Sequence, residues 1–406
     1  MSSENKKLDN EFDIFISNSV YPDATHIFAY SPKSLNTIKD DCIIIIDTNA
    51  LLVPYSIGKE GLEQIKKTYK KLVSEKRLFL PGQVAREFAR NRANKLAELS
   101  QQLNSKRNSP QSLQKGKYPL LESLPEYQES VRIEQQIDEL LKQYRKLLGN
   151  VLDHVHNWNW NDPVSLIYSE LFSQDVVYDF KYDKDYIRND LKRRQIHKLP
   201  PGYKDSGKDD DGIGDLLIWH TILEIGKKHS KSVIFVSGEE KSDWWHKIDK
   251  QTLYPRYELV DEFRRNSDEQ SFHIIPFSQF LSLYGASDNT VEEVREEESR
   301  LSIEFTLIGE FIHKWQILEQ SLILKYRLAD PVAPDEWRIR LIIRKLFHLH
   351  LLDKDVVANI EELQMIRNAF VHDTSITEVR SEAEIKNEIS RLNKIIDIVN
   401  QISIDD

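Results

Sequence analysis

The sequence predicts an α/β protein: a parallel sheet flanked by helices, interrupted by a helical insertion, and joined to an all-α domain of four helices. Three observations predict it. CIIIIDTNALL, Cys42 to Leu52, sets four isoleucines in succession, apolar on both faces as a central parallel strand requires. Strand-like and helix-like runs then alternate, the pattern of βαβ units. After about residue 300 only helical periodicity remains.

The isoleucine strand comes first. LEQIKKTYKKLVSEK follows with Leu62, Ile65, Tyr69 and Leu72 at helical spacing. RLFLPG is a short strand stopped by Pro81 and Gly82, and QVAREFARNRANKLAEL is a helix from Gln83. Residues 94–160, rich in Gln, Lys, Glu and Leu, read as a helical insertion, either a solvated arm or a clamp for substrate or partner. The α/β pattern resumes with GIGDLLIWHTILEIGKK, a helix opened by glycines. SVIFVS (Ser232 to Ser237) is a strand, DWWHKI the start of another helix, and HIIPF (His273 to Phe277) a strand. Residues 286–300 are charged and read as a linker or the polar opening of a helix. Four helical segments close the chain, the second with Asp335 as N-cap. The division is thus 1–40 as an N-terminal extension, 41–285 as the α/β domain, 286–300 as a charged linker and 301–406 as the helical bundle.

Composition narrows the class. Cys42 is the single cysteine of 406 residues, so no disulfide framework forms, which fits a reducing cytoplasm. The polar N-terminus has no signal-type apolar segment. No apolar run approaches the roughly 20 residues that cross a bilayer, so no membrane association is expected. The net charge of −10 disfavours general polyanion binding. Contact with nucleic acid must come from a local basic stripe or from metal ions.

Carboxylates carry the chemical signal. Ligands of open parallel sheets bind at the carboxyl ends of strands, where Asp47 stands; Asp47 also suits a helix N-cap. Asp215 lies in the first turn of the GIGDLLIW helix, a favourable macrodipole position. Glu87 adjoins the apolar face set by Val84 and Phe88, with Arg86 and Arg90 as ion-pair partners. Glu239, Glu240 and Asp243 follow the SVIFVS strand, and Asp243 could cap a helix beginning at Trp244. Together these acids would converge on one sheet edge and raise one another's pKa, a conflict that a divalent cation removes. Oxygen donors without clustered Cys or His select Mg²⁺ or Mn²⁺. Such a metal suits phosphodiester hydrolysis.

IIIIDTNALL, LPGQVAREF, PPGYKD…GIGDLLIW and VSGEEKSDWW, in this order, resemble PIN-like nuclease domains, closest to a bacterial subgroup. The resemblance implies metal-dependent cleavage of single-stranded or structured RNA; single-stranded DNA is the other candidate substrate. It carries over Asp47, Glu87 and Asp215 as metal ligands. Glu239 and Asp243 both remain candidates for the fourth acid. Asp209, Asp210 and Asp211 read as loop solvation, while Asp205 is open between metal and solvent. Arg188, Lys192, Arg193, Arg194 and Lys198 form either a phosphate-holding stripe or a solvated helix face. Trp158 and Trp160 suit base stacking or burial and stay outside the proposed site.

In the third C-terminal helix, IRNAFVHD, Leu363, Ile366 and Phe370 make an apolar stripe beside Arg367, Asn368 and His372. RNAFVH resembles the R-x4-H motif of HEPN domains. The resemblance implies either metal-independent RNA cleavage by Arg367 and His372 or a non-catalytic domain that dimerises or binds RNA. Arg367 lies five residues before His372, about 140° around the helix. Homodimerisation through this domain would bring two copies together. Such pairings resemble effectors of bacterial conflict systems, toxins or antiviral nucleases, restrained or triggered by a partner protein. The other reading is an inactive module that binds RNA or protein.

Overall fold

The computed structural model describes residues 13–109, 118–205, 212–238, 241–248, 251–330, 338–372 and 382–402. Three short helices, α1 (Ile16–Val20), α2 (Ala24–Ala29) and α3 (Leu35–Ile38), precede β1 (Ile43–Ile46). Every residue of β1 is at most 1% exposed, as its unbroken β-branched run requires. Then come α4 (Thr48–Leu52), α5 (Lys59–Ser74), β2 (Leu78–Pro81), α6 (Gly82–Asn108), α7 (Pro125–His156), α8 (Pro163–Leu171), β3 (Val177–Tyr178), α9 (Lys184–His197) and α10 (Ile213–His229). β4 (Val233–Val236), β5 (Trp245–Ile248), β6 (Gln251–Pro255), α11 (Tyr257–Asn266), β7 (Phe272–Ile275) and α12 (Phe277–Leu283) complete the α/β part. α13 (Asp288–Ala329), α14 (Ile339–His348), α15 (Lys354–His372) and α16 (Glu382–Gln401) follow. The predicted α/β class with a helical C-terminal region is therefore the observed one.

Five parallel strands lie in the order β3-β2-β1-β4-β7. β1 is central, with Ile44 opposite Leu78 on one side and Ile46 opposite Val236 on the other. α5 buries Ile65, Tyr69 and Leu72 at helical spacing. α10 is apolar on nearly every face and buries ten residues, including Trp219, the mark of a helix enclosed by its neighbours. Its Gly226 lets α11 approach, because a Cβ there would fall 2.5 Å from the Phe263 ring. Gly226→Ala is expected to cost about 1–3 kcal/mol through overpacking, measured as a lower urea midpoint.

Two compact units emerge, Met1–Lys95 with Asn157–Glu298 and Leu96–His156 with Ser299–Asp406. The second has its own core, including Phe311, Trp315, Leu322, Ile343, Leu363 and Leu392. The charged stretch 286–300 is the opening of α13 from Asp288 onward. Asp335 lies outside the described residues.

DWWHKI does not begin a helix. Asp243 and Trp244 occupy a turn, and Trp245 starts β5, which pairs antiparallel with β6. Trp244 is buried, its ring 5.4 Å from that of Phe235 and 6.1 Å from that of Trp219. A helix starting at Trp244 gives way to this anchoring and to cross-strand pairing of His246 with Tyr254.

Candidate active site

The C-terminal edge of the sheet carries two tied sets of side chains. The first begins at Asp47, whose extended backbone ends β1 and caps α4. Its N–H donates to Val236 O at 3.0 Å. Oδ1 accepts the Thr48 N–H at 2.7 Å, and Oδ2 accepts the Ser237 hydroxyl at 2.6 Å. The cap is real, but the Ser237 bond also pins the carboxylate across two neighbouring strand ends. Thr48 Oγ1 then donates to Glu87 Oε2 at 2.7 Å, while Gln83 Nε2 donates to Oε1 at 3.0 Å. Neither arginine offered by the sequence pairs with Glu87 among the described residues. Arg86 binds Asp179 instead, and Arg90 is exposed.

The second set surrounds Asp243, which is 0% exposed. Its Oδ2 accepts the Gly202 N–H at 2.9 Å. Its Oδ1 is buried and has no hydrogen-bond partner among the described residues. Burial pushes this carboxyl above its ordinary range; the Gly202 N–H opposes the rise and the charge of Asp215 adds to it. Lys241 Nζ lies 3.2 Å from Asp215 Oδ2 in the first turn of α10. Gly202 has φ +90°, and a Cβ there would lie 3.0 Å from Gly212 O and 4.0 Å from Asp215 Cβ. This explains the glycine in PPGYKD: the loop lies against the start of α10 and delivers an N–H to Asp243.

Asp243 has a consequence for pH. A folded-state pKa above the unfolded one favours the protonated form, so the contribution is present at low pH and lost as pH rises through the raised value. Asp243→Asn keeps an acceptor for Gly202 and removes the charge. In chelator its stability relative to the parent protein is expected to increase as pH rises from about 4, read as the difference in thermal midpoints.

Beneath the loop, the buried guanidinium of Arg194 donates from Nε to Asp190 Oδ2 at 2.8 Å, from Nη2 to Glu262 Oε1 at 2.7 Å, and from Nη1 to Pro200 O. Burial opposes ionisation of Asp190, but His220, Arg194 and Arg193 outweigh it and hold the carboxyl well below its usual range. Arg194 therefore does not belong to an exposed phosphate stripe. Arg188 and Arg193 are paired with Asp185 and Asp190, while Lys192 and Lys198 are exposed.

Glu239, Glu240, Asp209, Asp210 and Asp211 lie outside the described residues, as do the side chains of Asp205 and His372. On α15, Arg367 Nη1 donates to Asn368 Oδ1 at 3.3 Å. Leu363 and Ile366 are buried, and Phe370 meets Phe311 edge-on at 5.3 Å.

No three His, Cys, Asp or Glu side chains among the described residues stand close enough together to hold a metal ion. Among the described residues, Asp47 and Glu87 share the donor Thr48, and Asp243 stands beside Asp215. The donor chemistry fits a hard divalent ion: carboxylate oxygens, among them the partnerless Asp243 Oδ1. Sequence reasoning gave no role in the site to Thr48, Gln83, Ser237 or Lys241, and it read Arg194 as part of a surface stripe. The two motif hydroxyls were visible in DTN and in the serine that ends SVIFVS.

The sheet is parallel, and acids stand at its carboxyl edge. The chain matches the family model described as PIN-like domain over residues 43–259, more than half its length, and belongs to that family, whose members are generally nucleases. No curated protein and no solved structure matches it. No described helix is long and apolar enough to cross a membrane.

Proposed function

We propose that the protein is a divalent-metal-dependent endoribonuclease whose metal is held by Asp47, Asp215 and Asp243. The observation that carries this reading is Asp243: a fully buried carboxylate with an unpartnered oxygen, electrostatically coupled to Asp215, at the edge where Asp47 ends β1. Such a group is costly unless a cation or proton meets it. Membership of the PIN-like family supports the same reading, and Glu239 remains a further ligand candidate. When bound, Mg²⁺ or Mn²⁺ supplies Lewis acidity toward the phosphodiester and makes water more acidic.

The chain's own residues do the rest. Ser237 and the Thr48 N–H fix Asp47 in one orientation. Thr48 and Gln83 hold Glu87 with both oxygens engaged, which fixes its orientation as the further metal ligand that the resemblance offers. Lys241 neutralises part of the acidic charge at Asp215 and offers an ammonium to an incoming phosphate.

A second reading rests on the RNAFVH motif of α15, which carries Arg367 and His372. In it, Arg367 and His372 cut RNA without metal, with the helical domain forming a homodimer. Both readings fit a cytoplasmic effector of a conflict system, restrained or triggered by a protein partner. Incubating the pure protein with labelled RNA and DNA, in Mn²⁺ or in EDTA, and mapping product ends separates them. Cleavage only with Mn²⁺ supports the metal site, whereas EDTA-resistant cleavage leaving 2′,3′-cyclic phosphates transfers it to α15. Binding without turnover in any metal would leave a recognition module.

A further inference from the structure

We infer that Trp160 is a stacking platform for an unpaired base of the substrate; this rests on the nuclease reading for its substrate class. Trp160 is 51% exposed and has φ +63°. A bulky residue in the left-handed region carries a backbone penalty that persists only when its surroundings impose it. Here they do. The ring lies over the Arg92 guanidinium, 4.5 Å from its centroid. That guanidinium is buried and committed elsewhere: Nε donates to Asp162 Oδ2 at 3.0 Å and to Ser165 Oγ at 2.8 Å, and Nη2 donates to Asp162 Oδ2 at 2.5 Å. Phe88 meets the same indole at 6.4 Å between centroids. One face of the ring is thus fixed on a rigid cationic pedestal while half of the side chain remains in water.

Its position suits a base. Phe88 follows Glu87 directly on α6, so the ring stands beside the helix that carries a proposed catalytic acid. Arg90, three residues after Glu87 and on the same helical face, is exposed with no ion pair among the described residues and can meet a backbone phosphate. Asn161 Oδ1 accepts the Asn159 N–H at 2.7 Å and closes the turn that presents the indole, while the exposed Asn159 side chain beside it suits a base edge. Burial in an apolar core would not explain a ring left half in water. A nucleotide has a π-face for the ring, a polar edge for the Asn159 amide and a phosphate for the arginine.

The test measures binding without turnover. In EDTA, anisotropy of a fluorescein-labelled oligouridylate of about a dozen nucleotides is followed for the parent protein, Trp160→Phe and Trp160→Leu, each verified by thermal melting. Trp160→Phe keeps an aromatic face and is expected to bind within about twofold of the parent protein, while Trp160→Leu covers Arg92 without one and is expected to bind about tenfold more weakly. A duplex RNA probe should be indifferent to both changes. Equal binding of the single strand by both variants, or an equal loss on duplex, overturns the inference. Absence of Mn²⁺-dependent cleavage by the parent protein, with this binding pattern intact, would count against the nuclease reading alone.

Discussion

Replacing Asp47 and Asp215 together by asparagine is expected to reduce Mn²⁺-dependent RNA cleavage by about 10²–10⁴-fold, the scale on which removal of a charge-stabilising group acts. Asparagine is as good an N-cap as aspartate, so α4 should keep its start, and the amide oxygen that replaces the Asp47 carboxylate should still accept the Thr48 N–H. The change at Asp215 removes the ion pair with Lys241, which is partly exposed and contributes little to stability. Activity and folding should therefore part company. Unchanged circular dichroism and melting with cleavage abolished would locate the chemistry at the sheet edge. Unchanged Mn²⁺-dependent cleavage would remove these carboxylates from the mechanism.

Arg194→Met is expected to have the largest effect on stability, a loss of about 3–5 kcal/mol by urea denaturation. The guanidinium is 3% exposed, and its removal leaves Asp190 at 7% and Glu262 at 21% without their main counter-charge. The Pro200 carbonyl also loses its donor. Such a loss is a large fraction of the total stability of a typical domain. Arg194→Lys restores charge but not the three-way fork and should recover only part. Because the same arginine holds Pro200, two residues before the Gly202 N–H that binds Asp243, the variant should also lose activity in proportion greater than its unfolded fraction. A stability loss below about 1 kcal/mol would show that His220 and Arg193 suffice for Asp190.

The most legible elements were those whose burial is symmetric. Ile43–Ile46 could only be a strand covered on both sides, and Asp47 was conspicuous because an ionised group ended it. The period of α5 and the glycine-opened start of α10 were equally plain. β3 was not, because two residues cannot display a period, and neither was the β5–β6 ribbon. There an aspartate followed by two tryptophans reads as a capped helix, and a register shift between His246 and Lys247 breaks the alternation that would have announced strands. Asp47, Glu87, Asp215 and Asp243 stood out as charged groups in apolar surroundings. Thr48 and Ser237 did not, since their role is to bond a neighbour in space rather than in sequence. Arg194 was read as a surface cation because its three acceptors come from Asp190, Pro200 and Glu262, a convergence no local window contains.

The opening of α13 bears on how this protein can be taken apart. By composition the natural cut is at 285, where the charged run begins. Yet Val291 and Val294 belong to the core of the first unit. The Glu293 carboxylate accepts the Gly58 N–H at the start of α5, and Glu298 accepts the Phe277 and Ser278 N–H groups at the start of α12. A fragment ending at 285 would leave two helix starts unsatisfied and an apolar seam open to solvent, and should aggregate or unfold. One ending just after Glu298 would retain these partners. The acidic run that looks like a spacer is thus a clasp, and the place where the chain can be severed lies inside a helix.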